Sequence, residues 1–378
     1  MTPAPTRANS GSSPAPGAES TAAGAGPDPR SSAASSRAGA ADGPAATAPR
    51  FSLDLVLRAR ELGIVLALAV LVAVTTISNP RFLSGQSIRD ILLGTAILAV
   101  LAVGQAVVVI TRNIDLSVGS VLGLSAFTVG TLLRDHPGLP VVLALLIGAA
   151  VGGVCGAVNG VLVRYGNVPA LVVTLGTLYV VRGITYFWAG GQQINADELP
   201  SGFLDFGNAT LLGVPYLVLI ALLVLVVTGV VLRNYRVGRE LYAMGSSPQA
   251  ARLAGISVGR RTIGAFGVSG ALAGLAGVLF AARFGTIDAA AGTGYELNVV
   301  AAVVVGGVAV FGGSGSVWGA ALGALLLTTI GSSLAVLEIN QFWQQAIVGG
   351  LILLAIGADR LVAARMAASL KKRGSHVS

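Results

Sequence analysis

Residues 140–163 read PVVLALLIGAAVGGVCGAVNGVLV, a run with no charged side chain and one amide, Asn159. The hydrocarbon core of a bilayer is about 30 Å thick and takes about 20 apolar residues of helix to cross, so this stretch has both the length and the composition of a span. Gly148, Gly152, Gly156 and Gly160 recur every four positions. On a helix they fall on one side and form a groove into which a neighbouring backbone can settle.

Outward from this run, the same criterion places spans at 62–78, 91–111, 116–133 and 168–189, then at 213–232, 262–282, 295–311, 317–337 and 342–358. The second hairpin is interrupted by Asn113 and Asp115, and a second glycine stripe, Gly315, Gly319 and Gly323, marks another packing face. Composition agrees: 54% of residues are hydrophobic and 11% charged, against about 25% charged in soluble domains. Fifty-two glycines with only 6% aromatics suit close helix packing and not a β-barrel with aromatic girdles. The fold expected is an all-α integral membrane protein of about ten transmembrane helices.

The net charge of +8 would suggest nucleic acid were it gathered on one face. It is instead spread over alternate loops: Arg58 and Arg60, Arg112, Arg164, the stretch from Arg233 to Arg261, and the tail from Arg360 to Arg373. Arg81, Arg89, Arg134, Arg182 and Arg283 are the sparser set facing the other way. Positively charged loops stay on the cytosolic side, which predicts both termini inside. An odd number of crossings in each half makes two five-helix halves of opposite orientation, as in inverted-repeat transporters. Residues 1–50, nearly all Ala, Gly, Ser, Pro and Thr, are expected to form a disordered cytosolic tail. Residues 51–366 form the transmembrane domain, and 367–378 a basic cytosolic tail. No apolar stretch precedes Arg50, so the first span is not a cleaved signal peptide.

Enzymatic motifs are excluded in turn. Cys155 is alone, and His136 and His376 lie far apart, so neither a disulfide, a metal site nor a cofactor is expected. A Walker A loop needs a lysine after its glycines, and Lys371 and Lys372 follow Leu370 in the tail. The G-x-S-x-G match at Gly255–Gly259 lacks a preceding strand and a nearby histidine. Within the loop 233–261, Ser247 is placed to cap a short helix opening at Pro248, and Gly255 to end it. Ala250, Ala251, Leu253 and Ala254 would then form a small apolar surface suited to the cleft of a soluble partner.

Polar groups inside spans are the candidates for a solute path. Asp115 reads as a helix-end carboxylate that accepts backbone hydrogen bonds or pairs with Arg112, and Asn113 stands beside it. Arg182 can snorkel to water or hydrogen-bond hydroxyls of a solute. Glu296 and Asn298 open the eighth span, where unpaired amides favour a carboxylate. Asn159, Thr174 and Thr177 supply uncharged donors and acceptors, as a neutral polyol needs, or tie helices together.

Four stretches, RNIDLSVGS (112–120), NVPALVVTLGTLYVVRGI (167–184), GRELYAMGSSPQAARLAGI (238–256) and GTGYELNVVAAVVVGGVAVFGGSGSVWGAALGA (292–324), resemble the ribose-type permeases of ATP-binding-cassette sugar importers, with their rhamnose and autoinducer-2 relatives. The resemblance covers about residues 60–360. It implies a plasma-membrane permease without ATPase activity of its own. The implied partners are cytosolic ATPase subunits, a second permease subunit (identical or different) and an extracytoplasmic sugar-binding protein. It implies too that Gly238, Arg239, Glu240, Ala250, Ala251, Arg252 and Gly255 lie at the ATPase-coupling contact. Asn113 and Asn298 stand where ribose-like members commonly have glycine and an acidic residue, which turns the substrate expectation from ribose towards rhamnose. Permeases for autoinducer-2, nucleosides or branched amino acids are the alternatives within the superfamily. An ion-coupled secondary transporter is the rival class, and it would need a carboxylate relay in the membrane.

Overall fold

The computed structural model describes residues 53–374; the expectations for the 1–50 tail and for His376 lie outside the described residues. Helices α1 (Leu53–Ser78), α2 (Gly85–Ile110), α3 (Val118–Asp135), α4 (Val141–Gly166) and α5 (Ala170–Ala189) come first. A short α6 (Ser201–Asn208) and a hairpin of β1 (Thr210–Leu211) with β2 (Val214–Pro215) lead into α7 (Tyr216–Asn234). Then follow α8 (Arg236–Ser246), α9 (Pro248–Leu253), α10 (Val258–Phe284), α11 (Tyr295–Val305), α12 (Val317–Val336) and α13 (Phe342–Gly374).

Local chemistry fixes the ends. Pro140, Pro169 and Pro215 precede α4, α5 and α7 with extended backbone, since a proline lacks the N–H that a helix interior needs. Left-handed residues close α4, α5 and α10: Asn167 (φ 52°), Gly190 (φ 57°) and Gly285 (φ 67°).

Each expected span falls on a helix, but they are not equivalent. Among the described residues, six helices are long and apolar enough to cross a bilayer: α2, α4, α5, α7, α10 and α12. The expected span at 295–311 stops at Val305, because the following segment holds Gly307, Gly312, Gly313 and Gly315 at positive φ, a backbone that cannot continue a right-handed helix. At 1.5 Å per residue α11 is about 16 Å long, half of what a crossing requires. Gly315 therefore lies in this loop and not on the α12 stripe.

The centre of the bundle is α2, buried from Ala96 to Ile110. It packs against α10, which in turn lies along α4. The glycine groove of α4 is filled by α10: a methyl group at Gly148, Gly152 or Gly156 would collide with the backbone around Gly274, Gly270 and Phe266. The α12 groove receives α11, with Gly319 against Gly306 and Gly323 against Ala302. Close backbone approach of this kind supplies dispersion contact where lipid offers no hydrophobic drive. The outward faces of α1, α4, α5 and α7 expose large apolar side chains such as Leu66, Leu146, Val180 and Leu223, as lipid-facing or interface helices do.

Candidate functional site

After α7 the chain turns at Tyr235 and enters α8, whose sequence RVGRELYAMGS alternates polar and apolar groups on a helical period. The length of the loop 233–261 was legible, but α8 was not, because its charged residues read as an ordinary basic loop. Its inner face holds Gly238, Glu240, Leu241, Met244 and Gly245. Gly238 packs on the Leu232 backbone and Gly245 on the Ile110 carbonyl, both too close for any side chain.

Glu240 is 8% exposed. It accepts from Arg236 Nε at 2.7 Å and from Arg261 Nε at 2.5 Å. These hydrogen bonds, that from Arg261 first, hold its carboxyl below the usual glutamate range. Arg239 points away and donates to the Asn234 carbonyl at 3.0 Å. Helix α9 opens with Ser247 accepting from Ala250 N at 3.3 Å and with Pro248 in its first turn. Gly255 follows it with φ 78°. Ala250, Arg252, Leu253 and Ala254 are exposed, Leu253 at 91%. Ala251 is buried and leaves the expected surface, because on this helix its side chain faces the bundle. Of the seven expected coupling residues, Gly238, Glu240 and Ala251 therefore face inward, while Arg239, Ala250, Arg252 and Gly255 are exposed.

The segment 111–117 joins this foot to the membrane interior. Arg112, at φ 66°, donates through Nη2 to the Ser246 carbonyl at 2.5 Å and through Nε to the Gly245 carbonyl. A cation thus sits on the last carbonyls of α8, where helix ends are negative. Arg112 is not the partner of Asp115. The Asp115 carboxylate, 1% exposed, accepts from Ser117 N at 3.0 Å, Ser117 Oγ at 2.6 Å and Ser269 Oγ at 3.3 Å. The Gln105 amide, oriented to satisfy both its groups, spans the Asp115 backbone at 3.1 and 3.2 Å. Asn159 Nδ2 donates to Ser117 Oγ at 2.8 Å, and its Oδ1 is buried without a partner among the described residues. Asn113 donates to the Thr111 carbonyl at 3.0 Å, and Thr174 Oγ1 to the Ile114 carbonyl at 3.2 Å. Residues from α2, α4, α5 and α10 so meet the segment that leads into α3 in one polar knot. Thr177 stands outside it, bonded to the Thr174 carbonyl of its own helix at 3.2 Å.

A second cluster lies at the start of α11. Arg182 does not snorkel outward: 8% exposed, it donates through Nη1 to the Ala291 carbonyl at 2.6 Å. Glu296 Oε1 accepts from Gly294 N at 3.2 Å, whereas Oε2 is buried without a hydrogen-bond partner among the described residues. Gly119 in the first turn of α3 closes on Glu296 and on the Gly292 carbonyl, so α3 touches both polar clusters. Asn298 lines a cavity of about 620 Å³ together with Asp90, Arg283, Tyr295, Gln341 and Gln344. Pockets of about 300–1,000 Å³ commonly accept small ligands, and this one offers donors, acceptors and an aromatic ring. Of these residues, the sequence marks only Asn298 as a candidate for the solute path, with Arg283 read simply as one of the sparser outer arginines; the rest sit at helix ends, where polar groups carry little signal.

Residues 87–356 match the family described as branched-chain amino acid transport system / permease component. The chain is 39% identical over 300 residues to the autoinducer 2 import system permease protein of Enterobacter sp. (strain 638), which covers 79% of this chain and 86% of that one. It is 36% identical over 300 residues to the ribose import permease protein of Haemophilus influenzae, covering 78% of this chain and 91% of that one. Similarity to the autoinducer 2 import permease of Escherichia coli K12 is 39% over 299 residues, 79% and 85% of the two chains. No solved structure matches.

Proposed function

Because the chain belongs to the permease family described as branched-chain amino acid transport system / permease component, we propose that it is the membrane-spanning subunit of an ATP-driven importer for a ribose-like or autoinducer-2-like polyol. Both substrate classes come from the names of relatives that share most of its length. Rhamnose, towards which Asn113 and Asn298 pointed, draws no support from these relatives and is not retained. On this reading both termini and the foot of α8 and α9 face the cytosol of a bacterial inner membrane. ATP is hydrolysed by separate subunits, and a second permease copy or homologue completes the path.

The observation that carries the reading is the foot. Its α9 is capped at Ser247, ended at Gly255 and displays Leu253 almost fully exposed, a short apolar knob that a cleft on a soluble partner can enclose. The same foot is anchored to α2 through Arg112 and to α10 through Glu240 and Arg261. A push on α9 therefore reaches the two central helices directly. The cluster at Glu296, where a buried carboxylate oxygen has no hydrogen-bond partner among the described residues, would then be where packing shifts as access alternates.

An ion-coupled carrier would use Asp115 as its proton or sodium relay. The Asp115 oxygens are engaged by Ser117 and Ser269 within a packed core, which favours a fixed structural role. The test is reconstitution of the chain in liposomes with its ATPase subunits and binding protein. Uptake that needs ATP and the binding protein supports the reading, and uptake driven by an ion gradient alone overturns it.

A further inference from the structure

On the side of the molecule that carries the foot, two cavities share Arg260 and Arg261. One, of about 350 Å³, is lined by these arginines with Arg236 and Glu240. The other, of about 330 Å³, is an apolar groove between α7, α8 and α10 walled by Val231, Val237 and Val268. Val237 and Val268 are exposed, and the groove floor at Gly264 is open, with nothing within 4 Å of its Cβ position. Val268 lies eight residues beyond Arg260 on α10, so the groove runs about 12 Å along that helix at 1.5 Å per residue.

Charge and shape point to one kind of occupant. Arg236 and Arg261 share the carboxylate of Glu240, and Arg260 donates, among the described residues, only to the neutral Ser257 Oγ, at 2.9 Å. Three guanidiniums against one carboxylate leave positive charge in excess, beside the positive end of α10. A soluble anion would leave the groove unfilled, and an uncharged lipid would leave the arginines unmatched. We propose that the joined cavities hold one anionic phospholipid, its phosphate among Arg236, Arg260 and Arg261 and an acyl chain along the groove. Basic pockets between membrane helices at the cytosolic face suit such headgroups; the assignment to that leaflet rests on the importer reading above. The lipid phosphate would meet the same arginines that fasten Glu240, placing it next to the joint between foot and bundle.

Native mass spectrometry of the full chain in detergent, titrated with phosphatidylglycerol and with phosphatidylcholine of the same acyl chains, tests this. Phosphatidylglycerol should be retained at least about tenfold more tightly. The paired variant Arg236→Ala and Arg260→Ala should bring that preference close to unity, while Arg236→Lys with Arg260→Lys should keep most of it and so exclude misfolding as the cause. Val268→Trp should weaken retention of both lipids by filling the groove. Inorganic phosphate at equal concentration should not displace the lipid, and displacement would overturn the lipid in favour of a free anion. Equal retention of the two lipids by the unaltered chain would overturn it as well. So would an alanine pair that keeps the lipid preference and instead loses the ATPase subunit on co-purification. No ATP enters the lipid measurement, so failure of the importer reading and failure of this one are separately visible.

Discussion

Arg112 holds the end of α8: its guanidinium donates to the Ser246 carbonyl oxygen at 2.5 Å, across 134 positions of sequence. Its backbone meanwhile adopts φ 66°, a left-handed conformation that costs a non-glycine residue of order 1 kcal/mol or more. The turn that follows α2 is therefore tied directly to the end of α8. Arg112→Ala removes a charged hydrogen bond that is worth about 1.5–3 kcal/mol when sheltered and about 1 kcal/mol at this exposed position. ATP hydrolysis by the reconstituted importer should persist while solute taken up per ATP falls severalfold. A ratio equal to that of the unaltered chain would show that this tie does not couple.

Leu253 and Ala251 lie on the same short helix with opposite surroundings, one 91% exposed and the other 3%. Leu253→Asp should leave thermal stability within about 0.5 kcal/mol, as exposed substitutions do, and weaken ATPase association by tenfold or more. Ala251→Asp should instead lower stability by about 2 kcal/mol or more by burying an unpaired carboxylate. Melting of each variant in detergent, set beside co-purification of the ATPase, separates the two effects.

Gly152 and Gly153 make a matched pair on α4. A methyl at Gly152 meets the Gly270 and Gly274 backbone, with the Gly274 amide nitrogen only 2.6 Å away, whereas at Gly153 the nearest atom is Ala271 Cβ at 3.6 Å, an ordinary contact. Gly152→Ala should therefore cost about 1–3 kcal/mol through overpacking, and Gly153→Ala should be neutral or slightly stabilising through its better helix propensity. Yield and melting temperature of the two proteins, purified side by side, report the difference.

Glu240 makes a pH prediction. Its carboxyl is held below the ordinary value of 4.5 by Arg261 and then by Arg236, so protons bind the unfolded chain more readily than the folded one. Its contribution to stability is present above pH 4.5 and is lost as pH falls through the lower folded-state value. Glu240→Gln should melt lower than the unaltered chain at pH 7, and the gap should narrow in acid. A gap independent of pH would place the effect in packing and not in the charge.

Helix positions and the packing of α4 were readable from sequence because apolar runs and a four-residue glycine period are local signals. Gly148, Gly152 and Gly156 do meet α10. The shortness of α11 was not readable, since VVVGGVAVFGG remains apolar past Val305 and hydropathy does not register a backbone broken by left-handed glycines. Of the polar residues, Asp115, Asn159, Thr174 and Asn113 stood out because a charge, amide or hydroxyl in an apolar run is conspicuous. That they converge with Gln105 and Ser269 depends on long-range packing that no spacing encodes. Arg182 and Arg112 were the misleading ones. Arg182, expected to snorkel to water or meet a solute, turns inward to Ala291, and Arg112, expected as a partner for Asp115, instead reaches the end of α8.

The most direct measurement is ATP hydrolysis and solute uptake recorded together in proteoliposomes holding this chain, its ATPase subunits and, outside, the loaded binding protein. Uptake that appears only with ATP, rises with the binding protein and collapses in Leu253→Asp is the expected result. Uptake by this chain alone, driven by a proton or sodium gradient and indifferent to Leu253→Asp, would contradict it.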